Sequence, residues 1–181
     1  FVLLGIATLT ATGLQAALIG NVAHGVITGL LFFLAGAIKD RAHTGDLARL
    51  GGLRERSPVL AGILGYAAIA SLGLPGLAGF WGEAFAVVGA LHVGGGLWAT
   101  LGALAAVGGA LTAAYFMRLL RQVTHGPASP VVAAMAPGLA RAELAAWGPL
   151  IVLALAIGLV PALVLGLASD PVAALTEAVS R

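Results

Sequence analysis

The chain has 181 residues, 60% hydrophobic and 9% charged, with a mean hydropathy of +1.06. A soluble domain is about one-quarter charged, so this composition describes an integral membrane protein. The net charge is only +2, and the basic residues sit in short stretches between apolar runs. Nucleic-acid binding, which needs Lys and Arg clustered on one surface, is excluded. The absence of cysteine excludes disulfides, thiolate zinc sites and iron–sulfur ligation.

Phe1 opens the run FVLLGIATL, with no basic segment ahead of it. This is not the pattern of a signal peptide, and the expectation is a piece of a longer chain whose first helix is cut. A helix rises 1.5 Å per residue, so a hydrocarbon core of about 30 Å takes about 20 apolar residues. Phe1–Thr10 is too short and reads as the tail of a cut span, whereas Leu14–Ile38 is a full one. Pro58–Leu91 is apolar but interrupted by GLPG at Gly73–Gly76 and again at Gly79. Its second part, Phe80–Leu91, reaches only about 18 Å as a helix. Pro75 lacks an N–H and disfavours helix at Leu74. The expectation is one crossing made of two half-helices, with irregular backbone that must be buried in protein or line a wet cavity.

Leu97–Leu119 is the third span and Trp147–Leu167, with Pro161 inside it, the fourth. Asp170-Pro171 followed by VAALTEAV reads as a short capped helix on the outer surface. The predicted fold is therefore an all-α integral membrane bundle. It has about four spans plus a truncated first helix, with one span discontinuous at Gly73–Gly76. Residues 1–168 form the membrane domain and 169–181 a surface tail helix.

Loop charges support the single broken crossing. Residues 39–57 hold Lys39, Arg41, Arg49, Arg54 and Arg56, and residues 92–96 hold no Lys or Arg. Residues 118–146 hold Arg118, Arg121 and Arg141, and the tail holds Arg181. By the positive-inside rule the two rich loops, 39–57 and 118–146, are cytoplasmic. Had Pro58–Leu91 crossed twice, they would lie on opposite sides.

Ionisable residues within spans usually mark ion or substrate pathways. Glu83, just past the GLPG break, is the one acid at that depth, and it suits loading and unloading a proton. The alternative is a structural acid satisfying backbone donors at the half-helix N-terminus. Asn21, His24 and Thr28 fall at i, i+3 and i+7 on one face of their span. They make a polar stripe in which His24 either relays protons or donates an interhelical hydrogen bond. Gly25 and Gly29 form a small-xxx-small pair expected to pack closely against another helix. Gly108, Thr112 and Tyr115 share a face that either packs or lines a wet path. Lys39, the only lysine, reads as a topology anchor at the membrane edge, with a role in proton uptake as the alternative. His43, His92 and His125 are placed in loops. No phosphate loop, nucleotide fingerprint or metal cluster appears.

The strings HGVITGLLFFLAGAIKDRAHTGDLARLGGL (24–53) and ASLGLPGLAGFWGE (70–83) resemble the subunit M family of bacterial respiratory NADH–quinone oxidoreductase, complex I, which corresponds to chain 4 in mitochondria. The resemblance runs from Phe1 to about Arg121 and is loose beyond. It implies part of an antiporter-like, proton-translocating subunit of the membrane arm. The family's hydrophilic axis maps onto His24 and Glu83, with Glu83 in the half-channel leading to the positive side. The axis residues of earlier helices would precede Phe1. Lys39 stands where the family usually has an uncharged residue. Also implied are other membrane-arm subunits as partners, a multi-pass location in the inner (plasma) membrane, and no cofactor bound by this chain. NADH, FMN, iron–sulfur clusters and quinone belong to the rest of the complex. Two other readings stand beside this one: a subunit of a multisubunit cation/proton antiporter or membrane-bound hydrogenase, and a purely structural membrane scaffold.

Overall fold

The computed structural model describes the backbone of residues 1–180 and side chains through residue 178; Arg181, the tail's basic residue, lies outside the described residues. Among those described, all regular structure is helical. The helices are α1 (Val2–Ala7), α2 (Ala11–Ala42), α3 (Leu53–Arg56), α4 (Pro58–Ser71), α5 (Gly79–Val93), α6 (Gly95–Thr124), α7 (Pro130–Ala134), α8 (Arg141–Leu159) and α9 (Ala162–Ser180). A 3₁₀ turn spans Leu47–Arg49. Three of the helices, α2, α6 and α8, are long and apolar enough to cross a membrane.

Between α1 and α2 the chain turns at Thr8–Thr10, where Leu9 takes a left-handed φ of 50°. The Thr10 side chain caps α2 by accepting from the Gly13 N–H at 3.0 Å. α2 then runs 32 residues, about 48 Å, and forms the axis of the bundle. Its C-terminal half packs Leu30, Leu34 and Ile38 against Leu60 and Leu64 of α4, Val123 of α6 and Trp147 of α8. Its middle packs Ile19, Ala23 and Ile27 against Ala70, Ala78, Ala154 and Ile157.

The α2–α5 contact is set by glycines. A Cβ on Gly82 would lie 2.6 Å from the Gly20 Cα, and one on Gly89 would lie 3.1 Å from the Gly13 Cα. The pairs Gly13–Gly89 and Gly20–Gly82 are seven residues apart on both helices, so α5 runs antiparallel to α2. It ends beside the α2 N-terminus. α4, packed on the other half of α2, arrives from the opposite end. The two half-helices thus form one broken crossing. The 14 residues of α4 and 15 of α5 rise about 21 and 22 Å, each too short to cross alone.

Within this chain no helix packs closely on Gly25 and Gly29. Nothing approaches a Cβ at Gly25 within 4 Å, and at Gly29 only Leu150 comes near, at 3.9 Å. Small residues permit close approach only where a partner helix faces them, and α5 faces the Gly13–Gly20 side. His92 lies in the last turn of α5 and not in a loop.

The two arginine-rich connections lie on one side and interlock. The Gly52 N–H donates to the His125 carbonyl at 3.1 Å and the Ser129 N–H to Gly51 at 3.0 Å. The Ala128 N–H donates to the Glu55 carboxylate at 2.9 Å and Arg56 Nε to the Met135 carbonyl at 2.8 Å. Gly52 has φ 73° and sits against the Pro127–Ala128 backbone, where no Cβ fits. Arg41 makes a two-pronged ion pair with Glu143, both bonds 2.7 Å. Glu143 also accepts from the Ala140 N–H at 2.7 Å, so the pair clamps the C-terminal end of α2 to the N-terminal end of α8.

The last part of the chain differs from expectation. The fourth span begins at Arg141, not Trp147, and stops at Leu159, with Val160–Pro161 breaking it. Pro161 has no N–H and restricts Val160, and here those local rules prevail over the apolar run. Nor does a separate capped helix begin at residue 169. Asp170 and Pro171 fall inside α9, and Val172 is buried, so the tail is continuous with the membrane domain's last helix.

The glycine seam yields a test. Gly82→Ala forces a Cβ onto α2 backbone and is expected to destabilise by about 1–3 kcal/mol, the usual cost of overpacking. It should lower the melting midpoint of the full-length protein in detergent. Gly25→Ala, facing open space, is expected to leave that midpoint unchanged or slightly raised by better helix propensity.

Candidate functional site

The break between α4 and α5 is held by its surroundings. Gly73 (φ 63°) and Gly76 (φ 91°) take left-handed conformations that favour glycine. A Cβ on Gly79 would strike the Ala70 carbonyl at the end of α4, and one on Gly158 would strike the Gly76 carbonyl and Leu77 Cα. The α4–α5 break therefore rests directly on the last turn of α8, beside the second break at Val160–Pro161. Bare backbone at this depth is covered by protein on that side. The Trp81 indole N–H donates to the Gly158 carbonyl at 2.8 Å, one of the four end carbonyls that α8 itself leaves unbonded.

Glu83 is the fifth residue of α5. Its carboxyl lies over the break, with Oε2 2.5 Å from where a Gly73 Cβ would sit and 3.4 Å from where a Gly109 Cβ would sit. It is thus sandwiched between the break and α6. The expectation that it could satisfy half-helix N-terminal donors is not met. No protein group hydrogen-bonds it among the described residues.

A cavity of about 380 Å³ joins Glu83 to α2. Asn21, His24, Ser71 and Glu83 supply its polar side chains, and Phe1, Val2 and Ile27 its apolar wall. Two of the three residues of the polar stripe therefore face the same space as the acid. Thr28, the third, has its hydroxyl 3.2 Å from His24 Nδ1 and holds the ring from one turn away.

Other residues singled out from the sequence lie elsewhere. Lys39 is exposed near the end of α2 and lines a separate apolar cavity of about 210 Å³ with Ile38, Leu64 and Leu119. Fifteen residues, about 22 Å of helix, separate it from His24. The Thr112 hydroxyl donates to the Gly108 carbonyl at 3.1 Å, and Tyr115 points outward, 56% exposed. None of these three lines the cavity; the adjacent Gly109 is the α6 residue that meets Glu83. His43 and His125 fall at helix C-caps. The cavity's Ser71 and the Trp81–Gly158 bond escaped the sequence reading. The signal for the second was Pro161, which frees carbonyls at the end of α8.

A broken apolar helix carrying a carboxylate that shares an open cavity with a histidine defines a membrane-helix bundle. Residues 1–109 match the family described as NADH:quinone oxidoreductase/Mrp antiporter, transmembrane, and the chain belongs to that family. It is 41% identical over 133 residues to NAD(P)H-quinone oxidoreductase chain 4 1 of Synechococcus sp. (strain JA-3-3Ab), covering 72% of this chain and 25% of that protein. To NADH-quinone oxidoreductase subunit M of Rhodobacter capsulatus it is 34% identical over 177 residues, covering 98% of this chain and 34% of the relative. Among solved structures, respiratory complex I from Thermus thermophilus with bound NADH contains a chain that superposes with a TM-score of 0.82 at 31% identity, over 98% of this chain and 35% of that one. The chain thus spans between a quarter and about a third of these relatives' length.

The position of the carboxyl sets a test. Gly73→Ala places a methyl in a left-handed position and against Glu83 Oε2 at once. It is expected to cost about 1–2 kcal/mol for the backbone and more for displacing the carboxyl. In thermal melts of the full-length protein, adding Glu83→Ala should recover only the second part, leaving the double variant between Gly73→Ala and wild type.

Proposed function

We propose that the chain is part of a proton-translocating membrane-arm subunit of an NADH–quinone oxidoreductase, with Glu83 as the acid that loads and releases the proton. The observation that carries this is the cavity joining Glu83 to His24 beside the helix break. The family membership and the named relatives support the same reading. They favour it over the cation/proton antiporter also covered by the family description. Its partners are the other membrane-arm subunits. NADH oxidation and quinone reduction take place elsewhere in the complex.

The chemistry asked of these residues is proton transfer alone. A carboxyl that no protein group hydrogen-bonds can change charge without breaking a structural bond. His24 faces the same space, and either ring nitrogen can pass a proton while the Thr28 hydroxyl accommodates the tautomer. Asn21 and Ser71 can orient water between the two, since polar, roomy cavities hold water with two to four partners. The break supplies free carbonyls and a half-helix N-terminus next to the acid, as in transporters with discontinuous helices. Energy from redox chemistry elsewhere would shift which side Glu83 exchanges with. Lys39, far from the cavity and exposed, acts as a topology anchor.

Glu83→Gln in the intact, liposome-reconstituted complex is expected to abolish or strongly reduce proton translocation per NADH oxidised, with normal assembly. Wild-type pumping in that variant would overturn the assignment, leaving a structural scaffold. Omitting sodium should leave pumping unchanged, and sodium dependence would favour the antiporter reading.

We also infer that the interlocked loops 39–57 and 118–146 face the cytoplasm and that the membrane is the inner (plasma) membrane. The imbalance of arginine between the two sides supports this. With no native cysteine in this stretch, single cysteines at Thr44 and Gly94 report sidedness. An impermeant maleimide added outside the cell should label Gly94→Cys and spare Thr44→Cys; the reverse pattern would invert the topology.

A further inference from the structure

The second break, at Val160–Pro161, has no role in the proton path described above, yet it touches the element that carries Glu83. Gly158, two residues before that break, is the seat on which Gly76 and Leu77 rest, with no room for a Cβ. Leu159 comes within 3.9 Å of the Gly76 Cβ position from the same side. The Trp81 indole N–H reaches the Gly158 carbonyl at 2.8 Å. Trp81 is two residues before Glu83, so its ring leaves α5 on another side from the carboxyl. It is gripped by Phe80 and Phe85 at ring-centroid distances of 5.0 and 5.5 Å, both edge-on. The carboxyl lies on Gly73 at the start of the break, while Trp81 and Gly158 hold its end. The half-helix that places the acid is thus pinned at one polar point, and that point is a carbonyl left unpaired because α8 stops.

We propose that Trp81 is a positioning residue for Glu83, and that the α8–α9 break exists in this fold to present the Gly158 carbonyl as its anchor. The inference rests on the proton role of Glu83 and adds to it a latch between two broken helices. When the bond is made, α5 sits with the carboxyl against Gly73 and Gly109. When it is broken, α5 keeps its packing on the glycine seam of α2 but loses the hydrogen bond that fixes it against α8. The latch is neutral and single, so it can open at modest cost, which a moving proton carrier requires. The ionisable side chains lining the cavity are His24 and Glu83, and from α1's end the Phe1 amino group also acts on Glu83; Gly109 of α6 brings no charge, and the α8 residues at the latch are apolar. A shift in the pH response of pumping therefore reports on Glu83 and these neighbours.

The test uses the whole complex reconstituted in liposomes, with proton translocation per NADH measured against pH. Trp81→Phe keeps a ring and removes the donor. Losing one neutral hydrogen bond changes the seated population about fivefold, so the pH of half-maximal pumping is expected to move by up to about 0.7 unit. Gly158→Ala, which pushes the two breaks apart while leaving the indole in place, should move it in the same sense. Phe85→Leu removes packing on the indole but not the bond and should leave the profile in place. A wild-type profile in assembled Trp81→Phe complex overturns the proposal, as does a shift in Phe85→Leu as large as in Trp81→Phe. If Trp81→Phe fails to assemble, an unmoved profile in Gly158→Ala overturns it. Failure of the Glu83 reading itself shows separately, as undiminished pumping in Glu83→Gln.

Discussion

Backbone-to-backbone contact between α2 and α5 is the constraint on which the rest of the structure depends. A half-helix of 15 residues cannot be held in a bilayer by hydrophobicity, because lipid tails are as apolar as its own side chains. Van der Waals contact has to hold it, and it is closest where glycines meet glycines. Gly13–Gly89 and Gly20–Gly82 bring the helices close enough that Asn21 and His24, on the next face of α2, border the same space as Glu83. Widening that seam by one methyl would move the acid away from the histidine.

The two halves of α2 do different work. Toward its C-terminal end, large aliphatic side chains from four helices interdigitate, and the Arg41–Glu143 pair and the interlocked loops close the end. Around Gly20 the contact with α5 is by glycines, and Asn21 and His24 border a cavity. Rigidity is concentrated where only topology has to be maintained. The glycine seam and the two breaks lie around the cavity that holds Glu83. The cost of irregular backbone at depth is met by stacking the breaks on each other, so that each covers part of the other.

Much of this was legible in the sequence because the signals are local. Apolar run length placed α2, α6 and the broken crossing, and GLPG placed the break. The arginine-rich and arginine-free loops put both rich loops on one side, and the structure joins them by hydrogen bonds. Glu83 stood out as an acid in an apolar stretch, and i, i+3, i+7 spacing put Asn21, His24 and Thr28 on one face. What was not legible depends on partners. Gly25 and Gly29 look like a packing motif, and Gly13, Gly20, Gly82 and Gly89 do not, because only the helix that arrives opposite decides which glycines are used. Pro161 was visible but was outweighed by the hydrophobic run around it. Trp81 reads as one more apolar residue until the carbonyl it reaches is known.

The ion pair between Arg41 and Glu143 closes a loop of 102 residues, and the clasp between Gly52 and His125 one of 73 residues by numbering. Such contacts cannot form until the later partner has left the ribosome. At about 5–20 residues per second, α2 therefore waits about 5–20 s in the membrane with an unpaired arginine at its C-terminal end. During that interval the charge that Glu143 later neutralises stands alone, and a lone positive charge beside a span biases the helix's orientation. The same side chain thus ends a nascent helix before it becomes a rivet between two finished ones.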